Sequence, residues 1–393
     1  MSKLDELIRE LCPDGVETFP LEECCNILDK KRKPVTKNSR EKGEYPYYGA
    51  NGVQDYVSDY IFNGKFVLVG EDGSVITKSG TPVVTWAEGK IWVNNHAHVI
   101  EEKSGTMLRY LYFYIQTIDV TSLIHGNIPK LTGRDFRSLK IALPPLEIQR
   151  EIVSILDNFT NLTAELTAEL TARGIQYSYY RNKLLTFHSD TKIVQLADIA
   201  DIGTGSSNTN EAVEDGKYPF FVRSQEPLRK NDFEYDETAI ITAGDGVGVG
   251  KVYHYIEGRY ALHQRAYRIH INTPEVVPKY YFHYMKAKFL PYIQKTMFQG
   301  SVASIRRPML NAFPVPVPSL DVQNRIVKVL DNFEKICSDL NIGLPAEIEA
   351  RQKQYEYYRD KLLTFAETGN TILSRAEQSR AEQSRAEQSR AEH

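Results

Sequence analysis

The sequence predicts an α+β protein: two mixed α/β domains in a pseudo-twofold repeat, joined by long helices that form an antiparallel coiled coil. Three observations lead there. One set of marks occurs twice: Leu146-Glu147-Ile148-Gln149 returns as Leu320-Asp321-Val322-Gln323, Asp157-Asn158-Phe159 as Asp331-Asn332-Phe333, and Tyr179-Tyr180-Arg181-Asn182-Lys183-Leu184-Leu185-Thr186-Phe187 as Tyr357-Tyr358-Arg359-Asp360-Lys361-Leu362-Leu363-Thr364-Phe365. A stretch of mixed strand and helix character precedes each set. A run of heptad-spaced apolar residues follows each proline cluster. A duplication this long implies two similar domains, each presenting a comparable surface. The 393 residues fit two domains plus connectors better than one core.

Residues 1–12 place Leu4, Leu7, Ile8 and Leu11 on one face, a short amphipathic helix ended by Pro13. The first domain covers 13–143. Within it Phe66-Val67-Leu68-Val69, Val83-Val84-Thr85-Trp86 and Ile91-Trp92-Val93 read as strands, being β-branched and aromatic and bounded by Gly or Asn. Met107 to Thr117 reads as a helix. The second domain covers 188–317, with Ala239-Ile240-Ile241-Thr242 matching the Phe66 strand and Tyr280 to Lys288 the Met107 helix. The paired turns are Glu71-Asp72-Gly73 and Gly244-Asp245-Gly246.

Pro144-Pro145 and Pro316/Pro318 each close a domain and introduce a helical spacer, 144–187 and 318–365. In the first spacer Ile152, Ile155, Phe159, Leu162 and Leu166 fall at heptad spacing; in the second Ile326, Val329, Phe333, Ile336 and Leu340 do. That spacing describes a coiled-coil seam that needs a partner helix, and each copy could supply the other's. The competing arrangement packs each helix on its own domain. The first spacer also repeats Thr163-Ala164-Glu165-Leu166 as Thr167-Ala168-Glu169-Leu170. Each such unit lengthens a helix by ~6 Å and rotates the chain beyond it by a net ~40°. Gly343-Leu344-Pro345 interrupts the second spacer, with a fresh helix expected from Ala346 to Phe365. Residues 366–393, carrying repeats of Ser-Arg-Ala-Glu-Gln, read as a solvated tail with only alanines to bury.

Composition narrows the class. Hydrophobic content of 41% and charged content of 25% are those of an ordinary soluble protein. No apolar run approaches the ~18 residues that span a membrane, and the N-terminus lacks a signal-peptide pattern. Four cysteines without CxxC spacing point to a reduced, cytoplasmic protein without structural zinc. A formal charge of −3 argues against clamping nucleic acid by bulk charge. Local basic stretches remain: Lys30-Lys31-Arg32-Lys33, Arg223 with Arg229-Lys230, and Arg306-Arg307. Each is either a binding patch or a plain solvated loop.

Catalytic motifs are missing. Ala243 to Val252 is glycine-rich, but Asp245 and Val252 stand where a phosphate loop needs Gly and Ser or Thr, so a strand-to-strand turn is expected. His96-Ala97-His98 could place two imidazoles on one strand face, yet no third ligand cluster accompanies them and no metal site is expected. No nucleophile elbow, HExxH, Asn-Pro-Pro-Tyr or nuclease carboxylate cluster occurs. What remains are loops dense in polar and aromatic residues: Tyr45 to Gly52, Asn94 to His96 and His125 to Asn127 in the first copy, Tyr218 to Gln225, His263 to Arg265 and Gln299 to Ser301 in the second. Asn and Gln can pair bidentately with adenine and Arg with guanine. The copies differ most at these places.

The chain resembles the specificity subunits of type I restriction–modification systems, and within them the IC subfamily. The marks are Leu-Pro-Pro-Leu-Glu-Ile-Gln-Arg and Val-Pro-Ser-Leu-Asp-Val-Gln-Asn, the Leu-Asp-Asn-Phe heptads, the twin Tyr-Tyr-Arg-x-Lys-Leu-Leu-Thr-Phe ends and the Thr-Ala-Glu-Leu unit, together covering 1–365. The resemblance implies two target-recognition domains reading the halves of a gapped double-stranded DNA site, and spacers that dock two methyltransferase subunits. Motor–endonuclease subunits then join. S-adenosylmethionine, ATP and Mg2+ would belong to those partners, with no cofactor on this chain. Candidate DNA-binding residues are then Lys31, Arg32, Lys33, Tyr47, Asn51, Lys78, Asn95, His96, Asn127, Lys130 and Arg134 in the first domain. In the second they are Arg223, Ser224, Gln225, Lys251, His263, Gln264, Arg265, Gln299, Ser301 and Arg306. The alternatives are a fused methyltransferase–nuclease, which would need a cofactor motif, and a two-domain protein- or glycan-binding scaffold.

Overall fold

The structure, a computed structural model, describes residues 3–368 other than 74, 125–126 and 297–303. The repetitive tail from 369 lies outside the described residues. The chain divides into two compact units: the first holds residues up to Glu165 together with those from Ile348, and the second holds Leu166–Glu347. The helices are α1 (Lys3–Leu11), α2 (Leu21–Cys24), α3 (Leu108–Ile115), α4 (Gly133–Arg137), α5 (Leu146–Leu184), α6 (Pro278–Thr296), α7 (Arg307–Asn311), α8 (Leu320–Ser338) and α9 (Leu344–Thr368). The distal helix α9, part of the expected spacer 318–365, thus belongs almost wholly to the first unit.

In the first unit, β1 (Thr18–Pro20) pairs with β8 (Lys140–Ala142), tying the two ends of the domain together. Between them lie β2 (Asn26–Ile27), β3 (Lys42–Gly49), β4 (Gly52–Val57), β5 (Phe62–Gly70), β6 (Val84–Val93) and β7 (Ala97–Glu101). They form one sheet in the order β2-β7-β5-β6-β3-β4, with β3 parallel to β6. The second unit repeats this. Its strands are β9 (Ile193–Gln195), β10 (Ala200–Thr204), β11 (Tyr218–Phe221), β12 (Leu228–Lys230), β13 (Tyr235–Ala243), β14 (Tyr253–Leu262), β15 (Ala266–Ile271) and β16 (Pro314–Pro316). Here β9 pairs with β16, and the sheet order is β10-β15-β13-β14-β11-β12 with β11 parallel to β14. Each strand has its counterpart at the same place in the sheet.

Two of the expected strands merge. Val84–Trp86 and Ile91–Val93 belong to one ten-residue strand, β6. Glu88-Gly89-Lys90 lies between the two expected strands. Gly89 does take a positive φ of 85°, but it bends the strand instead of ending it. The period of two along β5 splits its side chains between two cores. Val67 and Val69 join the helix-covered core with Tyr110, Leu111 and Ile148, while Phe62, Phe66 and Leu68 pack with Ile91, Val93 and Val99. In the second unit Ile240 faces the helices, and Ala239 and Ile241 the other cluster.

The sheets are strongly curled. Phe62 lies opposite Ile91 and Gly70 opposite Ala97. Only Asn94, Asn95 and His96 separate Val93 from Ala97, a reach of roughly 14 Å, whereas β5 extended would measure about 30 Å. The long strands must therefore coil until the end of β6 returns to the start of β7. The same holds where His263, Gln264 and Arg265 join β14 to β15.

One buried glutamine per copy fixes each long helix to its domain. Gln149 is fully buried; its Oε1 accepts the Met107 N–H at 2.8 Å and its Nε2 donates to the carbonyls of Gly105 (3.2 Å) and Pro144 (2.7 Å). Gln323 accepts the Val277 N–H at 2.8 Å and donates to Glu275 and Pro318, both at 2.8 Å. Nearby, Tyr110 donates to Ala142 O at 2.7 Å and Tyr280 to Pro316 O at 2.9 Å. An aspartate one helical stretch further along meets a cation in both copies. Arg109 reaches Asp157 at 2.7 Å while lying over Trp86, and Lys279 lies over Tyr255 with Asp331 at 4.0 Å.

The heptad residues do not form one seam. Ile152 is buried and Ile155 partly buried in the first domain's own core, which also contains Leu362 and Leu363 of α9. Phe159 stacks on Tyr358 with ring centroids 5.4 Å apart. In the second unit Ile326 and Leu330 enter the domain core, and Phe333 meets Tyr177 and Tyr180 of α5. Tyr177 donates to Glu334 at 2.9 Å, and Arg173 acts electrostatically on Cys337, so α5 and α8 run antiparallel there. Leu166 is half-buried, whereas Leu162, Val329, Ile336 and Leu340 are exposed. The physical reason is the phase of the stripe: the buried residues of α8 are Gln323, Ile326 and Leu330, which face its own domain, and Val329 and Ile336 fall off that line. Between α8 and α9 the chain needs glycine at 343, because a Cβ there would sit 2.6 Å from the carbonyls of Asp339 and Lys335.

This packing sets two expectations. Gln149→Ala or Gln323→Ala leaves an N–H and two carbonyls without partners, and should destabilise the affected domain by about 3 kcal/mol in denaturant unfolding of the full chain. The second concerns His283, which stands where the first copy has the buried Phe113. It shares a 2.7 Å hydrogen bond with Asp331, and Glu334 and Lys286 lie beside it. Burial outweighs the two carboxylates and lowers its pKa from 6.5. The unfolded chain then binds a proton that the fold refuses, so this contribution is complete above pH 6.5 and lost as pH falls toward the lower folded value. Urea midpoints of the second domain should drop between pH 7 and 5, and His283→Phe should flatten that part of the profile.

Candidate DNA interface

In each unit four chain segments meet at one end of the curled sheet. In the second, the His263 N–H reaches Phe221 O at 2.9 Å, Gly244 N–H reaches Arg265 O at 2.9 Å, and Ile305 N–H reaches Gly244 O at 2.8 Å. In the first, Asn94 N–H reaches Tyr48 O at 3.1 Å, Glu71 N–H reaches His96 O at 2.8 Å, and Leu131 N–H reaches Glu71 O at 2.9 Å. Asp72 bridges to Lys130 as Asp245 does to Ser304. The backbone of the two tips is therefore one design, and the side chains on it differ.

On the second tip Arg223, Ser224, Gln225, Gln264 and Arg265 are all exposed. Asp245 holds two of them: Arg223 Nη1 lies 2.6 Å from Oδ1 and Arg265 Nη1 3.3 Å from Oδ2. Ser224 donates to Glu226 O at 2.7 Å, and Gln264 bonds Asn208. His263 is buried, and its Nδ1 accepts the Arg265 N–H at 3.0 Å. Burial, then the charges of Arg223 and Arg265, lower its pKa, so the ring is neutral and carries its proton on Nε2. Lys251 is exposed in the turn before β14, and Arg306 is exposed at the start of α7. Gln299 and Ser301 lie outside the described residues.

On the first tip Asn51, Asn95, His96, Asn127 and Lys130 are exposed. His96 Nδ1 bonds Asp72, and Asn94 Oδ1 accepts the His96 N–H at 2.8 Å, matching the His263–Arg265 turn. Lys130 Nζ is 3.3 Å from Glu71. Lys31 and Lys33 are exposed beside this end, Lys78 is exposed in the excursion between β5 and β6, and Arg134 is exposed on α4. His125 and Gly126 lie outside the described residues.

Besides the buried His263, two candidates belong to the interior instead. Tyr47 is 1% exposed, its hydroxyl bonded to the Val35 N–H at 3.0 Å and its ring under the Arg40 guanidinium at 4.0 Å. Arg32 pairs with Glu71 at 2.6 Å and Asp29 at 3.6 Å and donates to Ala97 O at 2.7 Å. The sequence counts it as one of four basic neighbours, yet it braces the loop from within. The two histidines also part company: His96 sits in the turn, while His98 is buried, 2.7 Å from Asp29 and stacked on Phe136. The Asp29 pKa falls because the His98 bonds and charge, the Val99 N–H and Arg32 outweigh its burial. Asp29, Glu71 and His98 come close together, and Arg32 already satisfies both carboxylates. The sequence reading missed Asp72 and Asp245 as working residues. Their signal was there, an aspartate before glycine at the same place in each copy.

These two like-built domains, each with a differently dressed polar tip, match a known family along most of the chain. The model of the type I restriction modification DNA specificity domain matches residues 13–173 and again 188–350. The chain belongs to that family. It is 34% identical over 378 residues to a putative type I restriction enzyme specificity subunit of Haemophilus influenzae, covering 89% of this chain and 96% of the relative. It is 34% identical over 298 residues to a type I restriction enzyme specificity subunit of Escherichia coli, covering 67% and 72%. The solved S subunit of a type I restriction–modification system from M. genitalium has the same fold, with a TM-score of 0.63 at 14% identity over 89% of this chain and 97% of that one. The protein is thus a DNA sequence-recognition subunit, a non-catalytic member of a restriction–modification complex. Among the described residues no helix is long and apolar enough to cross a membrane.

The geometry separates support from surface. Arg32→Ala abandons two largely buried carboxylates and should cost the first domain about 3–5 kcal/mol in denaturant unfolding. Asn95→Ala, at the exposed tip, should stay within about 0.5 kcal/mol of the parent chain.

Proposed function

We propose that each domain reads one half of a gapped, asymmetric double-stranded DNA site through the polar tip of its curled sheet. The observation that carries this is the pairing of an identical backbone frame with different side chains: Asn94, Asn95 and His96 in one copy, His263, Gln264 and Arg265 in the other. One chain can then read two different words with one fold. We further propose that the helices set the gap and dock two methyltransferase subunits, with motor–endonuclease subunits joining in a cytoplasmic assembly of the IC type. S-adenosylmethionine, ATP and Mg2+ would be bound by those partners, and none by this chain. The formal charge of −3 fits a chain that leaves much of the phosphate contact to partners.

Mapping methylated adenines made by the reconstituted complex tests the reading. Exchanging residues 13–143 for the equivalent domain of another family member should change one half-site and leave the other intact. Deleting one Thr-Ala-Glu-Leu unit removes ~6 Å of helix and should shorten the gap by one to two base pairs of ~3.4 Å rise. A complex without a gapped footprint would leave the scaffold alternative standing.

A further inference from the structure

We propose that Asp245 is a specificity-determining positioning residue: it holds Arg223 and Arg265 as a paired donor set for a guanine edge, and its charge keeps them from acting as a sequence-indifferent phosphate clamp. Asp72 has the same part toward His96. This rests on the reading that the sheet tips face DNA.

The geometry points to Asp245 because the two arginines come from different loops and use different oxygens of one carboxylate. The carboxylate is the inner member, with its side chain 23% exposed against 43% for Arg223 and 60% for Arg265. Its backbone is tied down on both sides, by the Gly244–Arg265 hydrogen bond and the bridge to Ser304. Each guanidinium has five N–H donors, so the bond to Asp245 leaves others directed outward. A guanine presents two acceptors, O6 and N7, to such a donor.

Stability does not explain the arrangement. Ion pairs this exposed contribute little, and the turn is closed by its backbone bonds alone. The two copies make the point independently. Ala50 stands where Arg223 does, and His96 where Arg265 does, yet the aspartate is present in both turns. The side chains that it holds differ with the domain while the carboxylate stays. Two guanidiniums without it would carry an extra positive charge at the DNA surface, and that charge would strengthen phosphate binding at any sequence.

The test uses the full chain in its assembled complex, with duplexes carrying the mapped site and single-base changes in either half. Asp245→Asn keeps the shape of the side chain and removes its charge. It should raise affinity for unrelated duplex DNA, steepen its log–log salt dependence by about one, and cut discrimination at the second domain's half-site roughly tenfold, with the other half unchanged. Asp245→Glu should restore the salt slope. Asp236→Asn, which removes a carboxylate from the exposed Arg259 pair in the same domain, should leave discrimination as it was. Unchanged salt slope and discrimination in folded Asp245→Asn would overturn the inference, as would an equal loss in Asp236→Asn. Should Asp245→Asn not fold, Asp72→Asn makes the same test at the first half-site. A complex that shows no half-site belonging to the second domain would instead defeat the underlying reading of the tips.

Discussion

The buried amide of Gln149, and of Gln323 in the second copy, is the interaction on which the rest of the architecture hangs. Each long helix must leave its domain at one defined position. Hydrophobic packing alone would allow it to slide or roll, because apolar contact is non-directional. A side-chain amide with one acceptor and two donor hydrogens engaged, all inside the protein, permits only one placement. Its partners are the last residues before the helix and the loop that starts the domain's own helix. The latch thereby couples the direction of the spacer to the body that carries the sheet.

From that frame the polar tip inherits its geometry. The sheet curls because long strands must meet short connections, and the curl gathers four distant segments at one end. Residues such as Arg223 and Arg265, far apart in the chain, come to share the carboxylate of Asp245. The same backbone in the other copy brings Asp72 to His96. A recognition subunit needs this division of labour. The scaffold must be alike in both domains so that both can be mounted in the same way, while the exposed side chains remain free to differ.

The helices illustrate how one apolar pattern can serve two partners. Ile152 and Ile326 do lie on apolar stripes, but those stripes face their own domains. Helix pairing is made by two seam residues with tyrosines outside the seam: Phe159 against Tyr358, and Phe333 against Tyr177 and Tyr180. Heptad and simple helical spacing diverge by only ~20° per heptad, too little to separate the two over three turns. Leu340 fails for another reason, since α8 ends at Ser338 and leaves it exposed.

Much of this protein was determined by local sequence. The duplication, the proline-started helices, the strand around Phe66 and the break at Gly343 are all legible, because each depends on propensity, period or backbone freedom within a few residues. The polar loops were legible too, as composition. Tertiary structure alone decided which of their residues face outward. Arg32 and Tyr47 read as surface groups and are interior braces; Asp72 and Asp245 read as turn residues and are the centres of the tips. Burial and charge pairing depend on segments brought together by the curl of the sheet, and no run of neighbouring residues records that approach.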